Sequence, residues 1–94
     1  MNQSELVEKN LFDAIFRGDV QGVKKIIKAQ PEVLLENWNV GDSFLHLAAS
    51  KGQDLLCQEL IKAGIDVDRP GSAGWTPLGE ASAYGKLSTV KLLL

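Results

Sequence analysis

The side chains best suited to chemistry in this chain are a histidine, a cysteine and a pair of aspartates. His46 is the only histidine of the sequence and Cys57 the only cysteine. A protein zinc site takes three or four such ligands, so these two do not complete one. Asp66 and Asp68 lie close together, but in a stretch rich in turn-forming residues, where carboxylates are solvated. We therefore expect no metal site and no acid–base catalysis by these aspartates.

Segment 71–74, with the sequence Gly-Ser-Ala-Gly, is the candidate for a phosphate-binding loop. It is followed by neither Lys-Ser nor Lys-Thr, and no buried strand precedes it, so the features that hold phosphate oxygens are missing. We expect no cofactor. A stand-alone enzyme would need a converging polar pocket, such as a deep site around His46 with a second titratable group. The sequence offers no such group, and we expect the chain not to be an enzyme.

Composition and charge limit the partners and the compartment. The chain has 94 residues, is 45% hydrophobic, and carries 10 basic and 12 acidic residues that are scattered along it. A clustered basic face, which nucleic-acid binding requires, is not visible. The apolar runs fall far short of the roughly 20 residues that span a bilayer. We therefore expect no nucleic acid and no membrane as partner. A single cysteine, with no secretory signal at the start, favours the cytoplasm.

The elements that position these side chains repeat along the sequence. Five residues recur with an offset of 33: Gly41, Ser43, Leu45, Ala48 and Gly52 correspond to Gly74, Thr76, Leu78, Ala81 and Gly85. A weaker copy lies upstream, where Leu11, Ala14 and Gly18 precede Leu45, Ala48 and Gly52 by 34 residues. A repeat of this length is typical of a stacked solenoid. We expect one domain, 1–94, with a first unit at about 5–40, a second at 41–73 and a truncated third at 74–94.

Each unit is predicted to contain an inner and an outer helix that run antiparallel. Apolar residues recur at helical spacing, and glycines 18, 52 and 85 separate the two helices of each unit. The segment that follows the second unit's outer helix lacks this periodicity and should project as a hairpin-like loop. Hydroxyl and carboxylate side chains that accept from backbone N–H groups are expected to cap helices at Ser4, Ser43, Asp54, Thr76 and Ser88.

Two stretches carry a family resemblance. Trp-Thr-Pro-Leu at 75–78, followed by Ala81 and Gly85, and Ser-Phe-Leu-His-Leu-Ala-Ala at 43–49, followed by Gly52, resemble the ankyrin repeat. The resemblance covers about residues 9–94. Three positions depart from it: Phe44 replaces the family's proline, Gly79 its histidine, and Glu59 an apolar residue of the outer helix.

The resemblance implies an all-α fold, a solenoid of stacked antiparallel helix pairs with projecting hairpin-like loops. It implies that His46 hydrogen-bonds the turn at the start of the neighbouring unit. It also places Cys57 at an apolar position of the outer helix, so we expect a buried thiol that resists modification.

The function that the resemblance implies is a non-catalytic protein–protein interaction module, which binds another protein on its concave inner-helix and loop surface. Trp and Tyr are enriched at binding hot spots, which favours Trp75 and Tyr84 as contacts; Trp38 is expected to pack over the first connection instead. Two sets of residues are predicted to bind the partner. The inner-helix strip, at the ends of the inner helices, consists of Phe16, Arg17, Ser50, Lys51, Ala83 and Tyr84. The loop set consists of Asn39, Val40, Asp42, Ser72, Ala73 and Trp75.

The last outer helix ends with three leucines, Leu92, Leu93 and Leu94, that would expose apolar surface. One interpretation is that further repeats follow; another is self-association through this end, which light scattering at increasing concentration would detect. The alternative function is accordingly an amino-terminal regulatory ankyrin segment of a longer enzyme or effector protein, whose activity lies beyond residue 94.

Overall fold

The computed structural model describes residues 3–35 and 41–94, and the regular structure in them is helical. The α-helices are α1 (Gln3–Arg17), α2 (Val20–Ala29), α3 (Phe44–Ser50), α4 (Asp54–Lys62), α5 (Pro77–Ala83) and α6 (Leu87–Leu93). Short 3-10 helices form at Pro31–Leu35 and Ser72–Gly74. The alternation of inner helices α1, α3 and α5 with outer helices α2, α4 and α6 confirms the all-α prediction.

Two inner helices begin at the predicted caps. The Ser43 hydroxyl accepts from the backbone N–H of His46 and begins α3. The Thr76 hydroxyl accepts from the N–H of Gly79 at 3.2 Å and begins α5, whose first residue is Pro77. Proline at this position loses no hydrogen bond, because the first N–H groups of a helix have no partner within it.

Three predicted caps are wrong. Helix α1 begins at Gln3, so Ser4 lies inside its first turn. Helix α4 begins at Asp54 itself, after Gln53, and α6 begins at Leu87, so Ser88 is already helical. The Asp54 carboxylate accepts hydrogen bonds from the hydroxyls of Ser88 and Thr89 instead. These side chains therefore join two consecutive outer helices, a use that the local sequence does not reveal.

The turn between inner and outer helix has the same geometry in each unit. In the second unit Gly52 has φ of +68°, a conformation that side chains disfavour, and its N–H donates to Ala49 O. The next N–H, that of Gln53, donates to Ala48 O at 3.0 Å. Because these bonds satisfy the last carbonyls of the inner helix, the chain reverses tightly and the outer helix packs back on it.

The units stack in chain order. Inner helix α3 packs between α1 and α5, and outer helix α4 packs between α2 and α6. The buried side chains form one continuous core, which includes Leu11 and Ile15 from the first unit, Phe44 and Leu60 from the second, and Ala81 from the third. Burial of this shared core between neighbouring helix pairs is what makes the fold a solenoid.

Candidate functional site

His46 links the second unit to the third. Its side chain is 2% exposed, and the Ser43 N–H donates to Nδ1 at 3.1 Å. Since Nδ1 accepts, the ring hydrogen lies on Nε2, which donates to the backbone oxygen of Trp75 at 2.8 Å. This confirms the expected bond to the neighbouring unit. With both ring nitrogens bonded inside the chain, the histidine acts as a connector between repeats.

Asp42 supports the same junction. It is 9% exposed, and its Oδ1 accepts from the N–H of Ser72 at 2.8 Å. Ser72 lies in the loop at 71–75, whose tip is closed by a 2.6 Å hydrogen bond from Gly71 N to Trp75 O. Asp42 and His46 therefore hold the two sides of one loop tip, and this carboxylate, assigned to the loop set by the sequence, already has a partner within the chain.

The indole of Trp75 accounts for a departure from the ankyrin pattern. A Cβ at Gly79 would come within 3.0 Å of Trp75 Cε3, so the ring occupies the space that a side chain at 79 would need. The indole therefore lies against α5, while 46% of Trp75 remains exposed. The position of His46 in the second unit is therefore taken by Gly79 in the third, and the Trp75 ring lies beside it.

The inner-helix strip is exposed at both of its ends. Phe16 is 57% exposed and Tyr84 63%, and Arg17 and Ala83 are also exposed, whereas Ser50 and Lys51 are half-buried. Lys51 Nζ lies 4.1 Å from the centroid of the Phe16 ring, in cation–π geometry. This contact joins the strip residues of the first two units.

The loop set is only partly described. Ser72 and Ala73 are exposed, and Ala73 has φ of +57° at the loop tip. Asn39 and Val40 lie outside the described residues, as does Trp38, whose predicted packing against the first connection is not tested. Of that connection, Val33 and Leu34 are buried and Leu35 is 78% exposed.

Sequence reasoning missed Lys86 as a surface residue. A Cβ at Gly52 would come within 2.8 Å of Lys86 Cδ and 3.2 Å of Cγ, so the lysine stem lies across the turn of the preceding unit. In the first turn a Cβ at Gly18 would lie 3.6 Å from Gln53 Nε2, the equivalent arrangement one unit earlier. The sequence does offer one signal for this placement: Gln53 and Lys86 directly follow the turn glycines of their units.

Cys57 is buried, as expected. Its removal from water and, to a smaller extent, the charge of Asp54 raise the pKa of the thiol to about 12. The thiolate is the reactive form, so the folded chain holds Cys57 in its unreactive state.

We expect a thiol reagent at about pH 8 to modify Cys57 at least about a hundredfold more slowly in the native chain than in urea, because reaction requires local opening. Stopped-flow labelling measures this rate, and equal rates with and without urea would contradict the prediction.

The raised pKa of Cys57 also makes the stability of the fold depend on pH. The preference of the folded chain for the neutral thiol stabilises the fold below pH 9, and this contribution is lost as the pH rises towards 12.

Across residues 3–35 and 41–94, no group of three or more His, Cys, Asp or Glu side chains is placed to hold a metal ion. None of the helices in the same ranges is long and apolar enough to cross a membrane.

At the last helix, Leu92 and Leu93 are half-buried against the core, while Leu94 is 87% exposed.

Comparison with known proteins agrees with this architecture. A family model for ankyrin repeats, three copies long, matches residues 11–94. Protein phosphatase 1 regulatory subunit 12A of Mus musculus is 41% identical over 54 residues, 57% of this chain and 5% of that protein. A Caenorhabditis elegans homolog of transient receptor potential cation channel subfamily A member 1 is 33% identical over 94 residues, all of this chain and 8% of the channel. Ankyrin repeat domain-containing protein 13C of Danio rerio is 30% identical over 82 residues, 87% of this chain and 16% of that protein. The chain thus spans a small part of each of these relatives.

Proposed function

Since the chain belongs to the ankyrin-repeat family, we propose that it is a non-catalytic module that binds a partner protein on its concave inner-helix and loop surface. Ankyrin repeats are a general protein-interaction module. The proposed domain is 1–94, built from units at about 5–40, 41–73 and 74–94, and acting in the cytoplasm.

The observation that carries the proposal is the exposure of three aromatic side chains on the inner-helix and loop side. Phe16, Trp75 and Tyr84 are each about half exposed or more. Two of them contact other residues of the chain: the Phe16 ring lies under the Lys51 ammonium, and the Trp75 ring lies against Gly79. Aromatic rings that are already ordered lose little conformational entropy on binding, and this makes them efficient anchors.

Site-specific crosslinking tests the surface. A photoreactive benzoylphenylalanine at Ala83, in the inner-helix strip, should capture a protein from the source cell extract, which mass spectrometry identifies. The matched position is Gln58, exposed on outer helix α4, where we expect no capture of that protein.

The identified protein is then purified and titrated calorimetrically against the wild type and against Trp75→Ala combined with Tyr84→Ala. Loss of two hot-spot aromatics should weaken binding at least tenfold, to order of magnitude. Unchanged affinity, or equal crosslinking from 58 and 83, would remove the proposed surface. A product made of two copies of this chain would replace the partner by self-association.

A second candidate is an amino-terminal regulatory ankyrin segment of a longer enzyme or effector protein. It is favoured by the relatives, which include a phosphatase regulatory subunit and a cation channel homolog, and of which this chain matches only 5% and 8%. The same crosslink separates the two candidates. Capture of a segment covalently continuous with the repeats supports regulation in cis, whereas capture of a separate chain supports the interaction module.

A further inference from the structure

A cavity of about 260 Å³ lies where the first unit meets the second, beside the turn at Gly18. Its wall is formed by that turn, by the first residue of α2 and by the start of α4: Gly18, Val20, Gln53, Asp54, Leu55 and Leu56. Leu56 is buried and Val20 half-buried, whereas Leu55 is 64% exposed. This junction cavity is therefore mainly apolar, and one of its leucines faces solvent.

The next junction, between the second and third units, is closed by polar side chains at the corresponding positions. The repeat offsets of 34 and 33 residues pair three apolar residues of the first junction with three polar ones of the second: Val20 with Asp54, Leu55 with Ser88 and Leu56 with Thr89. At the second junction the Asp54 carboxylate accepts from both hydroxyls and so joins the two outer helices. Valine and leucine side chains form no hydrogen bonds. The first junction is thus open where the second is bridged.

Gln53 gives the junction cavity a polar group. It directly follows the turn glycine, and its Oε1 is buried without a hydrogen-bond partner among the described residues. A buried acceptor that lacks a donor is costly, so a donor brought by a ligand is favoured here. The Gln53 side chain does not cap α4, and its terminal amide turns easily about the last side-chain bond. The oxygen can therefore be presented to a donor inside the cavity.

We propose that the junction cavity receives an aromatic side chain of the partner protein that carries a hydrogen-bond donor, a tryptophan or a tyrosine. This inference rests on the proposed function and names the chemistry of the partner. The apolar wall contacts the ring, and Gln53 Oε1 accepts from the indole N–H or the phenol O–H. The cavity is smaller than the about 300–1,000 Å³ of sites that enclose a whole small-molecule ligand, so it fits a single side chain.

The cavity adjoins the inner-helix strip, because Gly18 directly follows Arg17 and Gln53 lies two residues after Lys51. Three other cavities in the described part of the chain are each lined by at least three charged side chains. The junction cavity has one charged side chain, Asp54. Its carboxylate stays negative although it accepts from two hydroxyls, which favours a donor and disfavours an acidic side chain as occupant.

Indole and N-methylindole form the matched pair of probes, since only indole carries an N–H donor. The intact, isotope-labelled chain is titrated with each probe and followed by amide NMR. We expect indole to shift the amide resonances of Gly18 and Leu55 saturably. N-methylindole should bind about threefold more weakly, or weaker still, the effect of one neutral hydrogen bond. Gln53→Met, which keeps the length of the side chain, should bind both probes equally.

Val20→Thr combined with Leu55→Ser replaces part of the apolar wall by hydroxyl side chains and should weaken indole binding by about fivefold. The matched control, Val90→Thr with Leu87→Ser, makes the same changes in α6, where we expect less than about a twofold change. Circular dichroism confirms that the variants fold. If the double variant in the cavity unfolds, the comparison of the two probes on the wild type and on Gln53→Met decides alone.

The last part of the test uses the partner protein captured through Ala83. Indole should compete with that protein, and Val20→Thr with Leu55→Ser should weaken its binding. The inference is overturned if indole does not bind, if N-methylindole binds as tightly, or if the control variant loses as much affinity. It is also overturned if bound indole leaves partner binding unchanged, which would assign the cavity to a free small molecule.

The proposed function stands through each of these results, provided that crosslinking from Ala83 still captures a partner protein. Failure of that crosslink, with indole still bound, would instead leave a cavity without the proposed module function and would remove the partner from the inference.

Discussion

Replacement of Phe44 by proline, the residue that ankyrin repeats carry at this position, is expected to lower the free energy of unfolding by about 2–4 kcal/mol. Phe44 is fully buried and is the largest side chain in the core. Removal of a buried phenylalanine costs about 3–5 kcal/mol, whereas a proline that fits the backbone gains only about 0.4–1 kcal/mol by restricting the unfolded chain. Return to the family pattern is therefore destabilising here.

The backbone at position 44 would accept a proline, so packing alone decides whether Phe44→Pro raises or lowers the free energy of unfolding. Ser43, which precedes Phe44, has φ −83° and ψ 171°. Thr76, which precedes Pro77 in the third unit, has φ −86° and ψ 167°. Phe44 is also the first residue of its helix, where the N–H has no intrahelical partner to lose.

Urea unfolding followed by far-UV circular dichroism measures the effect, with the slope compared between variants to confirm that the midpoint reports stability. Phe44→Leu is the control, because leucine keeps an apolar side chain in the site and should cost less than half as much as proline. A proline variant as stable as the wild type would show that the core around position 44 collapses without a cavity, and would contradict the packing argument.

Much of the fold could be predicted because its signals are local and repeated. The inner helices begin where Ser43 and Thr76 predict, since a side-chain oxygen that reaches a backbone N–H three residues away depends only on neighbours in sequence. The turn glycines recur at fixed positions, and Gly52 adopts the left-handed conformation that explains its presence. The bond from His46 to the next unit could be expected because the family resemblance supplied a distant partner.

What could not be predicted depends on contacts between units. Asp54 and Ser88 each have the chemistry of a cap, and nothing local says that they bond to each other across two outer helices. Glu59, which departs from the family pattern, forms an ion pair with Lys24 of the preceding outer helix, a contact that depends on the stacking of the units. The position of Lys86 over Gly52 could not be predicted for the same reason, since it arises only when the third unit stacks on the second.

A single methyl group at Gly71 should be among the most destabilising additions to this chain, with Gly71→Ala lowering the free energy of unfolding by about 2–4 kcal/mol. A Cβ at 71 would meet Asp42 Oδ1 and lie 2.7 Å from His46 Nε2, the two atoms that hold the loop tip. Relief of the overlap requires both side chains to move, which breaks the bond from Ser72 N to Asp42 and the bond from His46 to Trp75 O. Loss of a charged and a neutral hydrogen bond gives the magnitude.

Gly74, three residues along the same loop, separates this effect from backbone strain. Its φ is +79°, and a Cβ added there would have nothing within 4 Å, so Gly74→Ala should cost only about 1–2 kcal/mol of left-handed strain. From the dihedral angles alone, alanine would be expected to cost more at 74 than at 71, because Gly71 has φ −106°. Urea unfolding of both variants, and of Gly71→Ala in an Asp42→Ala background, tests the account. The clash acts in part through Asp42, so Gly71→Ala should cost less free energy of unfolding once that carboxylate is removed. An undiminished cost at 71, or a larger cost at 74, would show that this polar junction does not couple the second unit to the third.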